Sequence, residues 1–385
     1  MKLSHNRKFI YLDYNATTPV APEVVMAMAP YWREIYGNPS SSHQQGRLSR
    51  RAIEQARTQV ATLVGVSPEW IIFTGGATEA NNLALMGVAR RQPANKRHLI
   101  VSNIEHPAVL EPAKALQREG WAVSLAPVDE HGSIKLDVFE SLLRPNTSLV
   151  SIMHANNEIG TIQPIPDIAR LTRARGIVLH TDAAQSAGKI RVDVSELGVN
   201  MLTLAGHKFY APKGVGALVR GPQMALDPIA FGAGHEFGIR PGTENVPLIV
   251  GLGEAARLAR ARLGQRSRHM QSLRDLLHQL LQEQIPHLRL NGHLLHRLPN
   301  TLNVSLPDCN AHKLLAELAD SLGASAGSAC HSDSDAVSGV LGAMGIAAER
   351  ALGAIRLSVG IDTTEQEIRS AAQQLVLAWE NAARR

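Results

Sequence analysis

Seven short apolar runs recur along the first 220 residues: "IIF" (71–73), "LIVS" (99–102), "AVSLA" (122–126), "LVSIM" (149–153), "IVLH" (177–180), "MLTLA" (201–205) and "VGALVR" (215–220). Several are unbroken rather than alternating, which suits strands buried on both faces of a mostly parallel sheet. Helical or loop stretches such as "PDIARLTRARG" (166–176) separate most of them. Strands alternating with helices predict a three-layer α/β unit. Upstream, Ile53, Ala56, Val60, Leu63 and Val64 fall on one face of a helix over 49–64. Residues 1–20 read as extended, with Tyr11, Asp13 and Asn15 alternating with apolar or small residues.

The pattern changes after residue 255. Leu273, Leu276, Leu277, Leu280 and Leu281 form a helical stripe, and "TLNVSL" (301–306) reads as a strand. A last helix opens on a capping-box pair, Thr364 and Glu367, and turns Ile368, Ala371, Ala372, Leu375 and Trp379 inward. These features predict a large domain over 15–260. A smaller α+β domain is expected from 1–14 and 261–385, carrying a mobile loop around Cys330.

Composition narrows the classes. The chain has 385 residues, 44% hydrophobic and 19% charged, with a formal charge of +5. These values describe a folded soluble protein of about two domains. The basic clusters "RRAIEQAR" (50–57) and "RARLGQRSRH" (260–269) lie in helical patterns and read as solvated helix faces, so no direct nucleic-acid partner is expected. Two cysteines cannot build a disulfide framework. No signal-peptide core and no membrane-length apolar run is evident, so a cytoplasmic location is expected. The sixteen histidines show no HExxH-type spacing, so no metal is expected.

In an α/β sheet, ligands bind beyond the carboxyl ends of the strands. The residues that follow the apolar runs are chemically pointed. "TGGATEANN" (74–82) is a glycine-rich turn whose N–H groups at Ala77 and Thr78 suit a phosphate. His106 follows the second run, Asn157 the fourth, Asp182 and Gln185 the fifth, and His207 and Lys208 the sixth. Together they describe a site for pyridoxal phosphate. Lys208 supplies the amine for a Schiff base. Asp182 keeps the pyridine nitrogen protonated so that the ring accepts electrons. Gln185 donates near the ring hydroxyl, His106 lies against the ring, and His207 joins the phosphate group. Cys330, in "SAGSACHSDSD" (325–335), sits among small and polar residues that suit a solvated loop. Cys309 has no such context and reads as structural or incidental. His154 and His180 read as supporting residues.

At this point the sequence resembles the cysteine desulfurases of the NifS/IscS type, in the class V aminotransferase branch of fold-type I pyridoxal-phosphate enzymes. The resemblance rests on "YLDYNATTP" (11–19), "GNPSS" (37–41), "TGGATEANN", "EHPAV" (105–109), "MHANNEIGTIQP" (153–164), "HTDAAQ" (180–185), "GHKFYAPKGVGAL" (206–218), "RPGTENVP" (240–247), "GSAC" (327–330) and "RLSVG" (356–360), in that order. It implies a fold-type I transferase: a three-layer large domain around a mainly parallel seven-stranded sheet, plus a smaller α+β domain. It implies conversion of L-cysteine to L-alanine, with sulfur taken by Cys330 as a persulfide. Lys208 would be the Schiff-base lysine and His106 a ring-stacking proton shuttle. Asp182 and Gln185 would tune the ring, beside Asn157 near the substrate. Thr78 and His207 would bind phosphate, Thr243 would reach the neighbouring subunit's phosphate in a homodimer, and Arg356 would clamp the substrate carboxylate. The sulfur would pass to an acceptor, either an iron–sulfur cluster scaffold or a tRNA-thiolation relay.

Two departures stand out. Family members often carry serine where this chain has Ala205, so Thr203 or a backbone N–H is expected to replace that hydroxyl. "ACHSD" (329–333) also resembles selenocysteine lyases, but these tend to carry an acidic residue where this chain has Pro107. The competing readings are a selenocysteine lyase, a class V aminotransferase that makes no use of Cys330, and an inactive dimeric sulfur-transfer scaffold.

Overall fold

The computed structural model describes residues 9–327 and 338–383. In chain order the strands are β1 (Ile10–Tyr11), β2 (Ile71–Thr74), β3 (His98–Ser102), β4 (Ala122–Ala126), β5 (Thr147–Ser151), β6 (Val178–Asp182), β7 (Met201–Ala205), β8 (Gly216–Arg220), β9 (Arg289–Leu290), β10 (Thr301–Ser305), β11 (Leu322–Gly323) and β12 (Ala354–Ser358). All seven apolar runs become strands of one sheet, ordered β2-β8-β7-β6-β5-β3-β4. Strand β8 runs antiparallel to both its neighbours, and the other pairings are parallel. Six strands therefore point the same way and bring their carboxyl ends to one edge.

The unbroken apolar runs have a packing cause. Ile100, Val150, Leu179 and Leu202 face one hydrophobic core, and Leu99, Val101, Leu149 and Met201 face another. The first core is covered by helices Gln44–Val64, Ile165–Arg173 and the first half of Val246–Gln284. Helices Ala77–Ala89 and Pro107–Arg118 cover the second. Strand β4 is the exception, an edge strand that leaves Leu125 exposed.

A third core gathers around the antiparallel sheet β12-β10-β9. Helix Val246–Gln284 runs unbroken from one core to another: Leu252, Ala256 and Ala259 pack in the first, Met270, Leu273, Leu277 and Leu281 in the third. The chain start reaches the third core too, since Ile10 and Leu12 pack there and β1 pairs in parallel with β11. Among the described residues of the extended stretch expected over 1–20, a strand forms only at Ile10–Tyr11, and Asn15 beyond it bonds to side chains of the antiparallel sheet instead of extending a ladder. The last helix, Glu365–Ala383, has the expected capping box. Thr364 N donates to Glu367 Oε2 (2.9 Å) and Glu367 N to Thr364 Oγ1 (3.2 Å). Among the described residues, no helix is long and apolar enough to cross a membrane.

Two residues of the basic clusters are not solvated. Arg266 is buried with its guanidinium 5.6 Å from the Tyr210 ring centre. Arg57 is buried too, because a carboxylate waits for it inside. Its Nη1 and Nη2 donate to Glu236 Oε2 (2.9 Å) and Oε1 (2.8 Å), and Nη1 also donates to Ile71 O (2.7 Å). Glu236 in turn accepts from Phe73 N (2.8 Å), so the pair pins strand β2 to a turn where Glu236 and Phe237 hold left-handed φ of 44° and 60°. Removing one partner of a buried pair strands the other charge. Arg57→Met is expected to cost about 3–5 kcal/mol in urea unfolding; a loss below about 1 kcal/mol would contradict this role for the pair.

Candidate active site

The carboxyl ends of β2, β3, β5, β6 and β7 surround a cavity of about 940 Å³. Ala77, Thr78, His106, Asn157, Asp182, Gln185, Ala205, His207, Lys208 and Arg356 all line it. Those from Ala77 to Lys208 meet because parallel strands deliver each following loop to the same edge, and Arg356 joins them from β12 of the antiparallel sheet. Thr243 is exposed and does not line the cavity of its own chain. Cys330 lies outside the described residues.

One end of the cavity is built to receive an anion. Helix Ala77–Ala89 starts at Gly76, whose φ of 144° is open only to glycine, and no side chain caps it. Its first N–H groups therefore face the cavity's end without a resident acceptor side chain. Glycine is needed at 216 as well, since a Cβ there would sit 2.8 Å from the Gly76 carbonyl carbon. Nearby, Glu79 accepts from Gly75 N (2.6 Å) and from Arg240 Nε (2.8 Å), which keeps its carboxylate occupied. His207 Nδ1 lies 3.1 Å from Thr17 Oγ1. Burial, reinforced by Lys208 and Lys213, holds His207 down at about 4, so it is neutral at pH 7. Thr203 does not replace the absent hydroxyl at Ala205. It is fully buried, with Oγ1 3.0 Å from His180 Nε2, deeper along the same strand.

The middle of the cavity carries the titratable groups. Asp182 accepts from Ala184 N (2.8 Å) at Oδ1 and from Asn81 Nδ2 (2.7 Å) at Oδ2. Lys208 Nζ donates to the backbone oxygens of Asn15 (2.7 Å) and Ala16 (2.8 Å). His106 Nδ1 accepts from Ala108 N (3.1 Å), so the neutral ring carries its proton on Nε2. Burial lowers its basicity, Asp182 opposes this, and Lys208 adds to it.

At the far side Arg356 is buried. Its Nη2 donates to Asp13 Oδ1 (2.7 Å), its Nη1 donates to Asn157 O (3.1 Å), and its Nε has no hydrogen-bond partner among the described residues. The described residues on either side of 328–337, the stretch that contains Cys330, bond to this wall. Ser325 and Arg356 exchange backbone hydrogen bonds (3.2 and 2.7 Å), and Ser338 Oγ donates to the buried carboxylate of Glu158. Gly339 and Val340 line the cavity itself.

Several residues of the site were not singled out by sequence pattern. Asp13 and Asn15 read only as members of an extended strand, yet both bond directly to site residues. Asn81 was legible only as part of the glycine-rich turn, and Lys189 as an ordinary basic residue. Their signal would have been polar residues inside the quoted motifs that no surface role requires. Cys309 is half-buried, and burial pushes its thiol up to about 11, so it is no ready nucleophile. His154 and His180 are buried and bonded to Ser186 and Ser151.

The family model for aminotransferase class-V matches residues 10–370. The chain belongs to the aminotransferase class-V family. The family is one of pyridoxal-phosphate enzymes. Relatives within it include the cysteine desulfurase IscS of Dictyoglomus turgidum, 42% identical over 94% of this chain and 92% of that protein. The IscS 1 protein of Archaeoglobus fulgidus is 44% identical over 93% of this chain and 94% of its own. Among solved structures, a NifS-like protein superposes with a TM-score of 0.91 at 38% identity, covering 96% of this chain and 99% of that one. SspA in complex with cysteine gives 0.82 at 36% identity, covering 92% and 100%. The seven-stranded, mostly parallel sheet is the class-V arrangement expected from the motifs.

One class-V site residue carries a pH signature. Glu105, beside His106, accepts from Ser102 Oγ (2.6 Å) and Met153 N (2.7 Å) at Oε1, while its buried Oε2 has no partner among the described residues. Burial raises its carboxyl to about 8 from an ordinary 4.5, despite those bonds. Between these values the folded chain holds a proton that the unfolded chain releases. This group's contribution to stability is therefore full below pH 4.5 and is lost as pH rises toward 8, at up to about 1.4 kcal/mol per pH unit. Glu105→Gln keeps the accepted bonds and cannot ionise. Urea unfolding between pH 5 and 8 is expected to show a flatter stability profile in the variant and a crossover in its favour at the alkaline end. Identical slopes would contradict the assignment.

Proposed function

We propose that the chain is a pyridoxal-phosphate-dependent cysteine desulfurase, converting L-cysteine to L-alanine and passing the sulfur to Cys330 as a persulfide. The observation that carries this is the convergence of an amine, a doubly hydrogen-bonded carboxylate, an uncapped helix start and a guanidinium on one cavity. The donor set fits the cofactor: Lys208 for its aldehyde, Asp182 for its ring nitrogen, Gln185 for its ring oxygen, and the N–H groups of Ala77 and Thr78 with His207 for its phosphate. When bound, pyridoxal phosphate supplies an electron sink for bond breaking at the substrate carbons.

The chain's own residues supply the rest. Arg356 binds the substrate carboxylate through a guanidinium that Asp13 and Asn157 already hold in place, beside Asn157 at the substrate position. Lys208 Nζ would hold the cofactor aldehyde and would move the proton at the substrate α-carbon. His106, neutral with its proton on Nε2, would lie against the bound ring and could pass protons there. The Cys330 thiolate attacks the substrate sulfur, so that an S–S bond forms as the C–S bond breaks. The electron pair left on carbon takes a proton, giving alanine and a Cys330 persulfide. The flanks of its segment, bonded to Arg356 and Glu158, start and end at the cavity wall.

Selenocysteine lyase activity is not favoured, since the relatives at 42–46% identity are named cysteine desulfurases. An inactive scaffold is not favoured either, given the complete donor set. Further parts of the reading are a homodimer in which Thr243 reaches the neighbouring phosphate, and a sulfur acceptor of the iron–sulfur scaffold or tRNA-thiolation relay type.

Cys330→Ser is expected to keep the visible absorption of the bound cofactor and to lose alanine formation from cysteine by at least about a hundredfold. Retained alanine formation would contradict the proposal and favour an aminotransferase or lyase. Arg356→Gln removes a charge-assisted clamp and is expected to raise KM for cysteine by about tenfold or more, with a smaller effect on kcat. An unchanged KM would place the substrate carboxylate elsewhere.

A further inference from the structure

Lys189 is a fully buried lysine with no carboxylate for company. Its Nζ donates to Gln185 Oε1 (2.8 Å) and to Asn15 Oδ1 (3.0 Å), both uncharged amide oxygens. The turn that returns it beneath Gln185 is bought at Gly188, which holds φ of 76° and where a Cβ would lie 2.6 Å from Phe209 Cβ. The cationic groups that face it are Lys208 and Arg356, and both of these together with burial push its amine well below the ordinary range. A buried amine set against two other cations is costly. Side-chain packing alone would be served by leucine or methionine.

The bonds show what the amine does. An amide side chain can be turned end for end at little steric cost, so its hydrogen-bond partners decide which end faces where. Because Lys189 donates its hydrogens to Gln185 Oε1 and Asn15 Oδ1, the oxygen end of the Gln185 amide faces it and Nε2 faces the other way. That nitrogen donates one hydrogen to Asn15 O (3.0 Å), and the side chain lines the cavity beside Asp182 and Lys208. With Oε1 engaged at Lys189, the amide end exposed to the cavity is the N–H end. We propose that Lys189 is a positioning residue of this site: it locks the Gln185 amide so that the cavity always meets a donor and never an acceptor. This rests on the reading above, in which Gln185 faces the ring oxygen of the cofactor. A flipped amide would set oxygen against oxygen there. In either protonation state Lys189 has enough hydrogens for both Gln185 Oε1 and Asn15 Oδ1, so the two bonds survive its neutralisation.

The test is spectroscopic, on the cofactor-loaded enzyme without substrate. The pH midpoint of the visible band is measured in wild type, Lys189→Met, Gln185→Ala and the double variant. A donor fixed at the ring oxygen lowers that midpoint. Lys189→Met is expected to raise it by about one pH unit, a tenfold change in proton affinity. In the Gln185→Ala background the same substitution is expected to move it by less than about 0.3 unit, because the group it acts through is gone. Lys189→Arg, which keeps donors, is expected to restore most of the wild-type midpoint. If methionine prevents folding, Lys189→Leu, which also lacks a donor, takes its place with the same expectation. An unchanged midpoint in Lys189→Met would overturn the proposal. So would an undiminished shift in the Gln185→Ala background, which would mean that Lys189 acts by charge alone. A wild-type enzyme with no visible band at all would instead overturn the functional reading on which the proposal stands.

Discussion

Asn15 is the point on which the architecture of the site turns. It is 1% exposed, and its backbone and side-chain polar groups are bonded. Its N–H donates to Ser358 Oγ (2.9 Å), and its Nδ2 donates to Thr301 Oγ1 (2.8 Å) and Asn157 O (3.1 Å). Its Oδ1 accepts from Lys189 and Asn300, and its backbone oxygen from Lys208 and Gln185. One residue near the chain start thus joins the antiparallel sheet to the loops of the parallel one. A buried polar network of this kind is stable only when fully satisfied, which makes it specific as well as rigid. The reacting groups inherit that rigidity: Lys208, Gln185 and Asn157 are all held through the same residue.

The chemistry follows from where rigid and anchored parts meet. The parallel strands fix Asp182, Lys208 and His106 at one edge, while Arg356 arrives from β12 of the other sheet. Arg356 also pairs through its backbone with Ser325, just before the segment of Cys330. Strand β12 thus carries a cavity residue and also meets the chain just before that segment. Burial tunes the rest: His106 and His207 are held neutral and Glu105 protonated, so the cavity carries fewer charges than its composition suggests.

Much of this was legible in the sequence. The apolar runs were readable as strands because burial on both faces leaves few polar positions in most of them, and several that remain, such as Ser151, His180 and Thr203, are buried and bonded to one another. The cavity residues were readable because a parallel sheet places whatever follows each strand at the same edge. Boundaries slipped by a residue or two. "LVSIM" (149–153) forms a strand at Thr147–Ser151, and Asp182 closes β6 rather than following it. What was not legible were partnerships across long separations. Nothing local marks Arg57 as a buried ion-pair partner of Glu236, because a helix face with several arginines looks the same whether or not a carboxylate lies beneath one of them. Asp13, Asn15 and Lys189 are the same case. Asp13 and Asn15 gain their roles from residues more than a hundred positions away, and Lys189 is fixed as much by Asn15 as by nearby Gln185, whereas periodicity reports only on neighbours.

The central claim is that the cofactor is carried by one particular amine, at the junction of β7 with the cavity. Borohydride reduction of the cofactor-loaded protein, followed by peptide mass spectrometry, makes that linkage permanent and locates it. The account predicts a single pyridoxyl-modified residue, Lys208, in stoichiometric yield. Modification at Lys189 or Lys213 with Lys208 untouched, or no modification at all, would contradict it.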